Sequence, residues 1–152
     1  MKVAIITDTH YGARKGSKHL HDYFELFYKN VFFPSLEEHN IDTVLHMGDI
    51  FDSRKAIDLQ SLEWSKRVVF EPLKKYKVYA IIGNHDCYYK NTNFVNSPEL
   101  LLQNYPNIKL YSKASEFKLG KDKFLFLHKA GHHWKLKKFL TLWKYFVIKR
   151  EQ

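Results

Sequence analysis

Three short apolar runs, each followed at once by polar residues, constrain the fold of this chain more than any other feature. The runs are KVAIIT (2–7), DTVLHM (42–47) and KVYAII (77–82), and they are followed by DTH (8–10), GDIFD (48–52) and GNHD (83–86). Short apolar runs rich in β-branched residues predict buried strands. Because segments with helical spacing separate them, the sequence predicts an α/β fold with a largely parallel sheet.

The helices between these strands can be placed from their apolar spacing and their caps. Residues 18–33 carry apolar side chains at helical intervals and predict an amphipathic helix that is interrupted near Pro34. Asp58 is a suitable N-cap for a second helix that runs towards Tyr76 and bends at Pro72. His19, His21 and His39 are expected to be solvated on helices, whereas His46 lies in a strand and is expected to be structural.

The end of the predicted domain holds a short helix, a strand and a hairpin. Ser97 is predicted to cap a short helix that reaches about Asn104. A strand is predicted at 107–111, and a hairpin at 117–127 turns around Gly120.

Composition excludes several classes of protein. The 152 residues and 45% hydrophobic content suit one globular domain. Cys87 is the single cysteine, so no internal disulfide forms, which fits a reducing compartment and predicts a cytoplasmic location. No apolar run approaches the roughly 18 residues of a membrane helix, and the N-terminal run is too short for a signal peptide. We therefore expect no membrane association.

The basic charge is concentrated at the C-terminus. The chain has a net charge of +9, and residues 121–152 hold 9 of its 25 Lys and Arg but 2 of its 16 Asp and Glu. Apolar residues from Trp134 to Val147 fit a helical stripe with lysines at its margins. A basic amphipathic helix can bind DNA, a membrane surface or a partner protein. The alternative is a non-homologous end left by truncation or a frameshift.

The three polar motifs indicate a metal site. Ligands of open α/β sheets gather at the carboxyl ends of the strands, where all three motifs lie. One such motif alone is weak evidence, because an Asp after a strand is often a turn former and a lone His is often structural. Three in register, with glycines that permit close backbone approach, indicate a shared centre. Carboxylate, imidazole and amide donors suit Mn, Fe, Zn or Mg, and two such cations about 3.5–4 Å apart can drive in-line attack on a phosphate ester.

The pattern D-x-H, G-D-x-x-D and G-N-H-D resembles the calcineurin-like metallophosphoesterase superfamily. The stretches GDIFDSRKAI (48–57) and GNHDCYYKN (83–91) are similar to the nuclease subunits of phage recombination endonucleases and of SbcD-type DNA repair exonucleases. The resemblance covers residues 1–127 and leaves 128–152 as a basic aromatic tail. It implies an α/β/β/α sandwich, of which this chain would hold the first sheet, its flanking helices and the start of the second sheet.

The resemblance also implies a role for each donor. Asp8 and His10 would hold the first of two divalent metal ions, most simply Mn2+, with Mg2+, Fe2+ or Zn2+ as alternatives. Asp49 would bridge both ions, and Asn84 would bind the second through its side-chain oxygen.

The remaining motif residues would act around these ions. His85 would be the catalytic histidine that acts on the leaving oxygen, and Asp86 would orient its imidazole. Asp52 would support the bridging region. For Asp52 and Asp86 the alternative is turn capping.

The family pattern calls for further histidines, including a later Gly-His-x-His that this sequence lacks. HKAGHH (128–133) offers His128, His132 and His133 as candidate extra ligands, but it has no spacer between the last two. Adjacent side chains diverge on a strand or a helix, so His132 and His133 can rarely reach the same metal pair.

Two functions of different classes follow. The first is a metal-dependent DNA exonuclease and endonuclease of phage recombination and DNA end processing, which works with a coiled-coil ATPase subunit. The second is a truncated, largely inactive fragment of such a nuclease that keeps a partial metal site. A small-molecule phosphodiesterase is less favoured because GDIFDSRKAI resembles the nuclease branch. With ligands missing, the chain alone is expected to bind Mn2+ weakly and to show little or no Mn2+-dependent nuclease activity.

Overall fold

The computed structural model describes residues 2–126. The predicted tail at 128–152, its boundary after residue 127, and the candidate ligands His128, His132 and His133 lie outside the described residues.

A four-stranded parallel sheet forms the centre of the molecule and confirms the predicted α/β class. Its strands lie in chain order: β1 (Ala4–Ile6), β2 (Thr43–His46), β3 (Lys77–Ile81) and β4 (Ile108–Tyr111). Ile6 pairs with His46, and His46 pairs with Ala80, so the first three strands end side by side. The three polar motifs therefore leave the sheet at the same edge.

Helices cover one face of this sheet. They are α1 (Ala13–Gly16), α2 (Lys18–Phe27), α3 (Phe33–Glu38), α4 (Leu59–Ser65), α5 (Glu71–Leu73) and α6 (Ser97–Leu101). Residues 28–32 join α2 to α3, and residues 66–70 join α4 to α5, each as a π-helical turn. Aromatic side chains fill the space between helices and sheet, among them Tyr28, Phe51 and Phe70, so this layer is well buried.

The predicted interruption at Pro34 is wrong, because the chain stays helical from Lys18 to Glu38. Pro34 stands in the first turn of α3, directly after the π turn, and Pro72 has the same position in α5. Proline lacks an N–H and its ring collides with the carbonyl of an ordinary preceding turn. The wider π turn relieves this conflict at both sites.

Side-chain caps start two helices. The predicted cap is confirmed at α4, where Asp58 Oδ1 accepts from Ser61 N at 2.8 Å. At α6 the predicted cap is one residue too late, because Asn96 rather than Ser97 accepts from Glu99 N, at 2.9 Å. Asparagine is at least as good an N-cap as serine, and α6 then ends at Leu101, earlier than predicted.

A hairpin covers the opposite face of the sheet. Its strands β5 (Ser115–Leu119) and β6 (Asp122–Phe126) pair antiparallel around Gly120, as predicted, although β5 begins two residues earlier than expected. Phe117 and Phe126 pack with Leu45 from the parallel sheet in a second apolar core. The sheet is therefore enclosed between a helical layer and a β layer.

His21 does not have the predicted solvent exposure. It is buried, its ring stacks on Trp64 at 4.7 Å between centroids, and a ring nitrogen lies 3.2 Å from Ser61 Oγ. Gly12, just before α1, and Gly16, its last residue, adopt positive φ and allow the chain before α2 to approach Asp58 and Ser61 at the start of α4. Helical spacing alone did not indicate this contact.

Among residues 2–126, none of the helices has the length and apolar character that crossing a membrane demands.

Leu45 tests the core between the sheet and the hairpin. It is fully buried, so Leu45→Ala should lower the free energy of unfolding by about 2–5 kcal/mol through lost burial and a residual cavity. Leu125→Ala is the matched control, because Leu125 is 48% exposed and should lose about 0.5 kcal/mol or less. Urea denaturation measures both values. Equal losses would show that the hairpin does not cover Leu45.

Candidate metal centre

The first two polar motifs lie side by side beyond the strands. Residues 8–11 and 48–52 continue the parallel backbone pairing of β1 and β2. The bonds run from Asp8 N to Gly48 O (3.1 Å), His10 N to Asp49 O (3.1 Å), Tyr11 N to Ile50 O (2.9 Å) and Asp52 N to Tyr11 O (3.1 Å). The side chains of the two motifs are thus held close by main-chain bonds rather than by their own contacts.

Three of the candidate ligands have a left-handed backbone. The φ angles are 52° at Asp8, 45° at His10 and 53° at Asp49. Asp and His tolerate this region better than most side chains, but it remains unfavourable for any residue other than glycine. Such conformations are concentrated at functional sites, where the surrounding structure imposes them.

His10 lies at the centre of the donor cluster. Ligand atoms of Asp8, His10 and Asp49 all lie within 4.8 Å of one another, and so do those of His10, Asp52 and His85. The His10 and His85 rings meet edge to face with 4.8 Å between centroids. The structure therefore brings together the donors predicted from three separate motifs, and His10 belongs to both groups.

The donors fit a divalent cation. His10 Nδ1 is buried and has no hydrogen-bond partner among the described residues, although Asp52 Oδ1 lies 3.3 Å away without hydrogen-bond geometry. A buried ring nitrogen without a partner is costly unless a ligand satisfies it. Carboxylates and imidazoles together suit Mn, Fe, Zn or Mg. The two groups are therefore candidate sites for such cations.

Glycine is required where the second and third motifs touch. A Cβ built on Gly83 would lie 2.1 Å from Asp49 N and 2.2 Å from Asp49 Oδ1. On Gly48, which has φ +91°, it would lie 2.9 Å from the Cα of Gly83. The two glycines let the motifs approach to backbone contact, as the sequence predicted.

Two carboxylates join these motifs in opposite directions. Asp49 Oδ1 in the second motif accepts from His85 N in the third at 2.7 Å. Asp86 in the third motif accepts from Phe51 N at 3.0 Å and from Gly83 N at 2.8 Å. Burial raises the pKa of Asp86 to about 6, while these backbone donors act to lower it. Asp86 thus fastens the backbone, and the structure does not give it the expected contact with the His85 ring.

The His85 ring is instead oriented by the main chain of the second motif. Its Nδ1 lies 2.9 Å from the carbonyl oxygen of Asp52. Since a carbonyl can only accept, Nδ1 carries a hydrogen and Nε2 is the nitrogen left for a ligand or a substrate. The backbone carbonyl of Asp52 therefore holds the His85 ring, while the Asp52 carboxylate lies near His10.

Asn84 has a neighbour that sequence reasoning missed. With the amide oriented to satisfy its surroundings, its side-chain oxygen accepts from Arg54 Nη2 at 3.1 Å and from His85 N at 3.3 Å. Asn84 is exposed at the rim of the cluster. The adjacent charges in SRK (53–55) were the available signal for a cation at this position.

His46 is buried, as predicted, and joins the first two motifs. Its Nδ1 accepts from Gly48 N at 3.2 Å, and its Nε2 lies 3.1 Å from Thr9 Oγ1. Because Thr9 donates its hydroxyl hydrogen to Ile50 O, Nε2 must be the donor in that pair. Burial lowers the pKa of His46 to about 4, so the neutral ring that these bonds require persists at neutral pH.

An α/β sheet that gathers aspartates and histidines at one edge, with donors for paired cations, has the architecture of a metal-dependent phosphoesterase. The chain belongs to the calcineurin-like phosphoesterase family, whose model matches residues 1–149. The resemblance identified from the three motifs is therefore confirmed. The match also includes most of the segment that we predict to be a separate tail.

Two similar proteins are nucleases. Exonuclease subunit 1 of Enterobacteria phage T4 is 38% identical over 81 residues, which are 52% of this chain and 24% of that protein. The crystal structure of the Pseudomonas putida nuclease MPE superimposes with a TM-score of 0.51 at 19% identity, over 78% of this chain and 50% of that one. The second likeness shows the fold. The chain thus spans about a quarter of one relative and half of the other.

Gly83→Ala tests the contact between the second and third motifs. The added methyl group collides with Asp49, so we expect Mn2+ affinity to fall at least about tenfold through displacement of a ligand. Isothermal titration calorimetry measures the affinity. Gly120→Ala is the control: its φ of +61° strains an alanine there, but the added Cβ meets nothing within 4 Å and the residue lies in the hairpin turn, so Mn2+ affinity should not change. Unchanged affinity in Gly83→Ala would contradict the proposed geometry.

His46 gives stability a pH dependence with a definite sign. Its pKa is depressed in the folded protein, so the unfolded chain binds the extra proton as pH falls from about 6.5 towards 4, and stability is lost over that range. This contribution amounts to roughly 3 kcal/mol. Asp86, with its raised pKa, acts in the opposite direction between about pH 4 and 6.

The His46 contribution can be isolated by comparing variants. His46→Gln should flatten the rise in unfolding free energy between about pH 4.5 and 7.5 relative to the unmodified chain, as measured by urea denaturation. His39→Gln, at an exposed histidine, is the control and should keep the original slope. An unaltered slope in His46→Gln would mean that the ring is not held neutral.

Proposed function

We propose that this protein hydrolyses phosphodiester bonds in DNA with two divalent cations, as an exonuclease and endonuclease of phage recombination and DNA end processing. The observation that carries the proposal is the convergence of Asp8, His10, Asp49 and His85, with Asp52, at the carboxyl edge of the sheet. The similarity to an exonuclease subunit supports a nucleic acid as the substrate, and we propose DNA.

The ligand assignment is the one that the family resemblance implies, and the group Asp8, His10 and Asp49 supports its first part. Asp8 and His10 would hold one ion, Asp49 would be shared, and Asn84 would serve the second ion at the rim where Arg54 now contacts it. Mn2+ fits this mixed oxygen and imidazole set, and Mg2+, Fe2+ or Zn2+ are alternatives. When bound, such a pair of ions activates water and neutralises charge on the phosphate during in-line attack.

His85 is the proposed general acid. The bond from Nδ1 to the Asp52 carbonyl fixes the ring, with Nδ1 as the donor and Nε2 as the nitrogen available to the substrate. Nε2 then holds the proton that passes to the leaving oxygen as the P–O bond breaks. Asp86 contributes by fastening the loop that carries His85.

The wider setting is also part of the proposal. Exonuclease subunit 1 is, as its name says, one subunit of an enzyme, which supports a partner for this chain, and we propose a coiled-coil ATPase. The free, buried Cys87 is consistent with a reducing compartment, the host cytoplasm.

DNA cleavage with Mn2+ tests the proposal. The unmodified chain and the His85→Ala variant are purified in parallel, and each is incubated separately with linear duplex DNA and with single-stranded DNA. We expect slow Mn2+-dependent cleavage by the chain and a loss of about 100-fold or more in His85→Ala, because general acid catalysis contributes at least that factor. The variant also serves as the control for contaminating nucleases.

The alternative function, an inactive fragment with a partial metal site, gives a different result. Mn2+ would then bind and Asp49→Ala would abolish binding, but cleavage would be equal in the chain and in His85→Ala. Asp22→Ala is the control for the binding assay, since Asp22 is exposed on α2 and pairs with Lys18. Mn2+ binding that survives Asp49→Ala would contradict both functions.

A further inference from the structure

Next to the metal centre lies a loop with exposed aromatic rings. Residues 87–96 follow the third motif directly, and Tyr88, Tyr89 and Phe94 in this loop are 41%, 51% and 87% exposed. Large aromatic side chains lose favourable burial when they face water, so three within seven residues mark an interaction surface. The metal centre described above does not use them.

The loop that carries these rings is fastened at its base. Cys87 and Asn96 form an antiparallel bridge, and Tyr88 N donates to Val95 O at 2.9 Å. Asn96 caps α6, and the Asn93 side chain donates to the carbonyl of Ser112. The exposure of the rings is therefore built into the structure of the loop.

Tyr88 and Tyr89 form a paired surface. Their rings meet edge to face, with 4.8 Å between centroids and 76° between planes. An exposed tyrosine ring offers planar contact area at low entropic cost, because it has only two side-chain torsions to fix. A flat aromatic ligand can stack on such a face.

Basic residues lie near the aromatic pair. Lys55 Nζ lies 6.0 Å from the centroid of the Tyr88 ring, and its neighbour Arg54 contacts Asn84 at the rim of the metal centre. Lys90 is exposed next to Tyr89 and is the one charged residue in the sequence YYKNTNF (88–94). Stacking faces combined with positive charge are the features with which proteins bind single-stranded nucleic acid.

We propose that Tyr88 and Tyr89, with Arg54, Lys55 and Lys90, form a stacking platform that binds unpaired nucleotides beside the scissile phosphate. This inference rests on the proposed nuclease function and adds the form of the substrate. The rings stack on bases, and the cations neutralise the phosphates between them. Because every base has a π face, the platform binds without sequence preference. Arg54 and Lys55 follow the second motif and Tyr88 follows the third, so the platform adjoins both.

Binding without metal separates this proposal from catalysis. The probe is a fluorescein-labelled single-stranded oligothymidylate of about 10 nucleotides, and affinity is measured by fluorescence anisotropy in EDTA, where no hydrolysis occurs. The double variant Tyr88→Ala, Tyr89→Ala should bind at least about fivefold more weakly, the effect of losing one stacked base. Tyr89→Phe should keep its affinity, because the ring remains.

Two controls distinguish stacking from charge. Tyr23→Ala removes a tyrosine that is 68% exposed on α2 and should leave the affinity unchanged. An abasic oligonucleotide of the same length keeps the phosphates, including those that the basic residues of 121–152 can attract, and lacks bases. The double variant and the unmodified chain should bind this abasic probe equally.

The outcomes separate the two proposals. Weaker binding of the base-containing probe alone supports the platform, whether or not the chain cleaves DNA. Equal affinity of the double variant for oligothymidylate, equal losses on both probes, or no binding by the unmodified chain would overturn it. Cleavage lost in His85→Ala together with any of these would leave the nuclease standing without the platform.

Discussion

The contact between the Gly83 backbone and Asp49 is the constraint on which the rest of the site depends. It sets the distance between the second and third motifs to that of touching main chains. At that distance Asp49 reaches His85 N, and Asp86 reaches the backbone of the opposite motif. Each carboxylate thus satisfies donors that would otherwise be buried without partners, and the cost of bringing negative charges together is offset by directional bonds.

Backbone hydrogen bonds also join the first motif to the second. Main-chain pairing continues past the ends of β1 and β2, so the backbone positions Asp8 and His10 without help from their side chains. His46 reinforces this from inside the sheet with both of its ring nitrogens. Since the side chains of Asp8 and His10 are not needed to join these two motifs, they remain available for cations and substrate. That division between supporting and reacting groups is what a preorganised site requires.

Much of this arrangement could be predicted from the sequence. The strand positions could be predicted from the apolar runs, and the shared edge from the polar motifs that follow them. Both patterns are local, so each indicates its structure without knowledge of distant contacts. Contacts that depend on distant packing could not be predicted in this way. His21 meets Trp64 only after two helices dock, Asp86 finds backbone donors from another loop, and Pro34 is accommodated by a π turn that leaves no signature in composition.

The left-handed backbone at Asp8, His10 and Asp49 lowers the stability of the fold, while the side chains at these positions supply the donor atoms of the site. Glycine would relax each position by up to about 1 kcal/mol, and it would also delete a donor atom. Selection for thermal stability alone would therefore drift towards glycine at these three places and erase the centre one ligand at a time. Engineering of a more robust form should leave them untouched and draw its gains from the helical layer, where strain has no chemical purpose.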